Sequence, residues 1–237
     1  MSLALARLLD RAARAFEATG DGEGLALIAR RRGDLALRNY EPVAAAASYR
    51  DAVVHLEGAE SEDLAAALLG LARALLEVGE ADASAVAALE AGVVFEGLGH
   101  RLGQGLCRVI VASATDGAER GRLLRAAVDD FIAGGHPGCA IESLCALASH
   151  HAALHEVPLA RHCVSHANAL DTALGLGLGV AVTGLAESEV LLSEGRPKDA
   201  MRLARQTAEA RRRSGDLVGA KAANALAARA RHQGGTR

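Results

Sequence analysis

The sequence predicts an all-α protein built from repeated helical hairpins, and three observations carry that expectation. The first is residue choice. Alanine makes up more than a fifth of the 237 residues, with Leu, Arg and Glu next, whereas there is no Trp and there are only two Tyr and three Phe. Ala, Leu, Arg and Glu are strong helix formers, and the aromatic and β-branched residues that strands favour are scarce. The second is punctuation by proline. Pro42, Pro137, Pro158 and Pro197 all stand where helical patterns start or break, as expected for a residue tolerated in the first helical turn and nowhere deeper. The third is a period. Glycines that end apolar helical runs recur at Gly20, Gly58, Gly99, Gly135, Gly175 and Gly215, with spacings of 38, 41, 36, 40 and 40.

Between each pair of these glycines lies a weaker break: Asn39-Tyr40-Glu41-Pro42, Gly79-Glu80, Asp116-Gly117, Val157-Pro158 and Gly195-Arg196-Pro197. Each unit of about 40 residues therefore reads as two helices joined by a short turn, and neither could bury its apolar stripe alone, so neighbouring units must stack. The expected helices cover 2–18, 23–39, 42–57, 61–78, 82–98, 103–115, 118–133, 138–154, 158–174, 178–194, 197–213 and 216–232. The first is an unpaired N-terminal helix. The last is a capping helix whose outer face carries Lys221, Arg229 and Arg231. The 103–135 unit is short and sits poorly in register. No linker or composition break divides the chain, so the expectation is one continuous domain over 1–237 with a frayed tail at 233–237.

Small residues fall at fixed offsets inside the units. Leu68, Leu71, Ala72, Leu75, Gly79, Ser84, Ala88 and Ala91 recur in register as Leu144, Leu147, Ala148, His151, His155, Ala160, Val164 and Ala167. Ser188, Leu191, Gly195, Ala200 and Ala204 follow the same pattern, and Gly33, Ala45, Tyr49 and Ala52 belong to the earliest unit. Small residues at these places let the two helices of a hairpin approach closely.

This pattern, most clearly in the stretch LLSEGRPKDAMRLARQTAEARRRSGD over 191–216, resembles the tetratricopeptide repeat (TPR). The similarity is to the longer, less aromatic variety seen in the sensor arrays of LuxR-type activators and STAND-type signalling ATPases, and it covers about residues 23–232. The family's aromatic signature positions are mostly Leu or Ala here. The resemblance implies a right-handed α-solenoid of about five hairpins that binds a partner peptide or protein segment in its concave groove, as a bacterial regulatory scaffold. Carrying over the family's groove-facing offsets selects Arg30, Asp34, Arg38, Arg73, Glu77, Ser149 and Glu189, and more loosely Arg108, with Leu69, Leu76 and Leu192 as apolar floor. The N-terminal half of that set is rich in arginine, which suits a carboxylate or acidic segment.

The competing chemistry is a histidine cluster. Six of nine histidines lie between 136 and 166, and His151/His155 and His162/His166 are each four apart, so each pair shares a helix face. The pairs are symmetric about the Val157-Pro158 turn, which makes a four-histidine metal site or a small-molecule sensor the alternative function. The repeat register argues against it, because it places His162 and His166 on the outer side. Cys107, Cys139, Cys145 and Cys163 contain no Cys-x-x-Cys pair and are expected as small core residues of a reduced, cytoplasmic protein.

Other classes recede. The formal net charge is −3, without the basic excess of a dedicated nucleic-acid binder. Arg30-Arg31-Arg32 and Arg211-Arg212-Arg213 point in three directions each on a helix and read as solvated faces. No apolar run is long enough to span a membrane, and Arg7, Asp10, Arg11 and Arg14 interrupt the N-terminal apolar stretch. There is no phosphate loop, no dinucleotide fingerprint, no nucleophile elbow and no His-Glu-x-x-His, so no enzyme and no cofactor are expected. Gly175-Leu176-Gly177-Leu178-Gly179 joins two helices without a preceding strand, and Asp129-Asp130 and Glu187/Glu189 read as solvent-facing acids. The expected partner is a protein or peptide, with a homodimer as a further possibility.

Overall fold

The computed structural model describes residues 3–235, and among them there are twelve helices and no strand. They are α1 (Leu3–Thr19), α2 (Gly22–Arg38), α3 (Pro42–His55), α4 (Glu62–Val78), α5 (Ala81–Gly97), α6 (Arg101–Ser113), α7 (Gly117–Ala133), α8 (Pro137–Ala153), α9 (Val157–Leu174), α10 (Gly179–Ser193), α11 (Pro197–Arg213) and α12 (Leu217–Gly235). Every expected helix is present, with ends displaced by up to about three residues. The tail differs: α12 runs on through Gln233 to Gly235, and Thr236 and Arg237 lie outside the described residues.

The punctuation works as the glycine period implies. Gly20, Gly58, Gly99, Gly135, Gly175 and Gly215 all adopt positive φ, between 61° and 83°. This left-handed conformation costs a residue without a Cβ little. At the weaker breaks the same geometry falls on Gly79, Gly117 and Gly195, and on two residues that bear side chains, Tyr40 and His155, both at φ 60°.

The chain forms two compact units, residues 1–119 and 120–237, with the boundary inside α7. In the first, α1 lies on α2, α2 pairs with α3, α4 with α5, and α6 packs on α5 and α4. The hairpins close through alanine: Ala45, Ala52, Ala65, Ala72, Ala88 and Ala91 have no exposed surface. Tyr49 is the large side chain here. Its ring lies between Gly33 of α2 and Gly70 of α4, where an added Cβ would come within 2.8 Å and 2.3 Å of it. Ser84 donates its hydroxyl to the Ala72 carbonyl at 2.7 Å, tying α5 to α4 without leaving a buried polar atom unpaired.

In the second unit α8 pairs with α9, α10 with α11, α11 with α12, and α10 also packs on α8. Ala140, Ala148, Ala160, Ala167, Ala200, Ala204 and Ala208 are fully buried, and Ile141, Val190 and Phe131 are the large side chains with almost no exposed surface. Two surface expectations change. Asp130 is 4% exposed instead of solvent-facing. Arg211 is not a solvated-face residue: its Nε donates to the Ala181 carbonyl at 2.7 Å and it pairs with Asp216 at 3.0 Å. Arg30, Arg31 and Arg32 do diverge, toward Asp63, Asp34 and Asp10 respectively.

Candidate functional site

The expected groove residues fall into two constellations, one in each unit. In the first unit, Asp34 of α2 accepts the Tyr49 hydroxyl at 2.7 Å. Burial, and then this hydrogen bond, push the phenol well above the ordinary tyrosine range, while the nearby Arg73 and Arg30 charges pull the other way. Arg30, Asp34 and Arg73 are therefore assembled around one buried ring. Arg30 also reaches Asp63 at 2.7 Å. Arg38 and Glu77 are exposed near the C-terminal ends of α2 and α4. Arg108 on α6 is half-buried, and its charge acts on Cys107.

The second constellation is a cavity of about 300 Å³ in the second unit. Its walls are Ser149, Ala152, Ala153 and His155 from α8 and its turn, Glu189, Leu192 and Ser193 from α10, and Arg229 and Gln233 from α12. Ser149, Glu189 and Leu192 were all expected on the groove, and the structure brings the three together. Glu189 is thus not a bland solvent-facing acid. Neither it nor Arg229 takes part in an ion pair among the described residues, so both charges are open to a ligand.

Arg229 was missed as a site residue, being expected on the outer face of the cap. The signal was there: Ser149, Glu189 and Arg229 are spaced 40 apart, as are Ala153, Ser193 and Gln233. Extending the 40-residue period of the last two units by one step finds it. His155 enters the wall because its left-handed backbone, φ 60°, ends α8 beside Ser149's face.

The histidine cluster separates. His151 is 6% exposed and its Nδ1 lies 2.6 Å from Glu156, across the α8–α9 turn. His155 is exposed on the cavity wall. His162 is exposed and His166 half-buried on α9, their rings 6.4 Å apart. Among the described residues no three His, Cys, Asp or Glu side chains gather as a metal site needs. The cysteines are free thiols, with Cys107, Cys145 and Cys163 buried and Cys139 half-buried. Burial pushes the Cys107 and Cys145 thiols up to about 12, which keeps them protonated and poorly nucleophilic.

The glycine-rich link at 175–179 is closed on itself. The Asp171 carboxylate accepts the backbone N–H groups of Leu178 and Gly179, both at 2.9 Å. These bonds, Gly179's first, hold its pKa below the usual carboxylate range. The amides a phosphate would need are occupied. Among the described residues no helix is long and apolar enough to cross a membrane.

Among the described residues, twelve helices paired as repeated hairpins define a TPR-like helical-repeat fold. Known structures share it. The apo form of RapI superposes with a TM-score of 0.68 at 11% identity, over 97% of this chain and 91% of that one. Aspartyl phosphate phosphatase F from Bacillus subtilis gives 0.66 at 11% identity, over 95% of this chain and 64% of the phosphatase. A Rap protein complexed with competence and sporulation factor gives 0.65 at 12% identity, over 95% and 69%. No protein-family model and no curated protein sequence matches the chain.

Proposed function

We propose that the protein is a cytoplasmic, non-enzymatic scaffold of bacterial regulation that binds a partner peptide or protein segment along the first helices of its hairpins. In this reading the two units act as the single array expected over 1–237, of the kind used as sensor arrays by LuxR-type and STAND-type regulators. The observation that carries it is the cavity on Ser149, Glu189, Leu192 and Arg229. One register offset, repeated 40 residues apart, places a hydroxyl, an acid and a guanidinium where one extended segment would meet all three. Within the first unit Arg30 and Arg73 offer a cationic constellation of its own, and the fold likeness to a Rap protein complexed with a factor is in keeping with such binding.

A linear-peptide phage library panned on the immobilised protein tests the proposal. Enriched peptides should lose at least about tenfold in affinity on Glu189→Arg or Arg229→Glu, the cost of about 1.4 kcal/mol or more for a reversed contact charge. Peptides that bind the two variants as well as wild type, or a library that enriches nothing, would overturn it.

A further inference from the structure

One side of α5 has no role in the fold. Its inward face is complete, with Ser84, Ala87, Ala88, Ala91 and Phe95 buried. Outside, Val86, Leu89 and Val93 are 55%, 57% and 71% exposed. At spacings of three and four these three share one face, and they form an apolar strip about 10 Å long. Asp82, Glu90 and Glu96 edge the strip, and α5 carries no basic residue. The neighbourhood intensifies this: residues 51–100 hold ten acidic side chains against one arginine, Arg73.

The same chain carries the opposite surface. Residues 196–231 hold ten basic side chains against three acids. Helix α12 has no acid at all. Its buried face is Gly219, Ala220, Ala223, Leu226, Ala227 and Ala230, and its other side exposes Leu217 and Val218, at 69% and 73%, with Ala222 and Ala225. Lys221 and Arg229, both exposed, lie on that side among them, and the exposed Arg231 borders it. Neither they nor Asp82, Glu90 and Glu96 join an ion pair among the described residues.

We infer that α5 is a docking surface for α12 of a second copy of this chain, in a head-to-tail contact that sets the acid-edged apolar strip of one against the basic, partly apolar side of the other. The contact joins two different patches, and is heterologous. A single helix pair buries little, which places the association among weak, salt-sensitive ones. Arg229 continues the stripe of Val218, Ala222 and Ala225 and also lines the cavity, so the association is measured on the protein without added peptide and its outcome is read separately from peptide binding.

Sedimentation velocity of the full chain tests it. Wild type should associate with rising concentration at low salt, and the association should weaken at least about tenfold on moving to about 300 mM NaCl. Glu90→Arg/Glu96→Arg and Lys221→Glu/Arg231→Glu should each be monomeric with unchanged helical circular dichroism. Val93→Asp gives a second disruption through the apolar centre. An equimolar mixture of the two charge-reversed proteins should associate again, because the intact α12 of one meets the intact α5 of the other. A wild type that stays monomeric at low salt, an α5 variant that associates like wild type, or a mixture that stays monomeric would each overturn the inference.

Discussion

His155 holds a left-handed backbone with a full imidazole side chain, a conformation that costs an L-residue about 1–2 kcal/mol. Such cost persists where the side chain does something glycine cannot, and here the ring forms part of the cavity wall. His155→Gly should therefore raise stability by about 0.5–1 kcal/mol in denaturant melts, after the greater unfolded-state freedom of glycine is subtracted, while weakening any peptide selected on the wild type. Unchanged stability would show that the turn is not strained. Tyr49 supplies a second test. Its phenol, held neutral by burial and by Asp34, contributes fully below about pH 10, where both folded and unfolded tyrosine are protonated. Above that pH the unfolded chain releases its proton and the native state keeps it. Stability should fall by about 1.4 kcal/mol per pH unit until the folded value is passed, and Tyr49→Phe should lack that slope in paired melts. Only half of this was legible beforehand. Gly33 and Tyr49 stood out by register, but the closing of Gly70 onto the other side of the ring depends on α4 crossing α3, which no local pattern encodes.

At the scale of elements, the glycine period reported the helix ends well because a left-handed residue is needed at each one. The linkers between ends were less legible. The 175–179 link shows why: its order comes from Asp171, inside the preceding helix, whose carboxylate reaches forward to two amides. Asp171→Ala should speed hydrogen exchange at Leu178 and Gly179 with little change elsewhere. The lowered pKa means the clasp is complete above the ordinary carboxylate value near pH 4 and is lost as pH falls through the lower folded value. Protection that survives in the alanine variant would sink the assignment. The α8–α9 hairpin carries the opposite lesson. Spacing set four histidines level across a turn, but helix rotation turned His151 inward to Glu156. Spacing fixes which residues share a helix face, and only packing decides where that face points. Zinc titrated into the purified protein should show no stoichiometric high-affinity binding, and a tight equimolar site would contradict this geometry.

At the scale of the molecule, charge is unevenly distributed in a way the near-neutral total conceals. Residues 1–119 carry 18 acidic and 11 basic side chains, and residues 120–237 carry 11 and 15. The fold class followed from composition and period because buried alanines recur along the hairpins of each unit. The division into two compact units did not, since no linker or glycine-rich stretch marks it and the boundary runs through a helix. The placement of the aromatic residues gives a way to ask whether these units melt as one. Both tyrosines, Tyr40 and Tyr49, belong to residues 1–119, and there is no tryptophan anywhere. Tyrosine emission is therefore a private reporter of the N-terminal unit, since residues 120–237 hold Phe131 but no tyrosine. Far-ultraviolet dichroism sees the helices of both. A protein that unfolds as one cooperative array should give superimposable transitions by the two signals. Two separable units should pull the emission curve away from the dichroism curve, without any label having been attached.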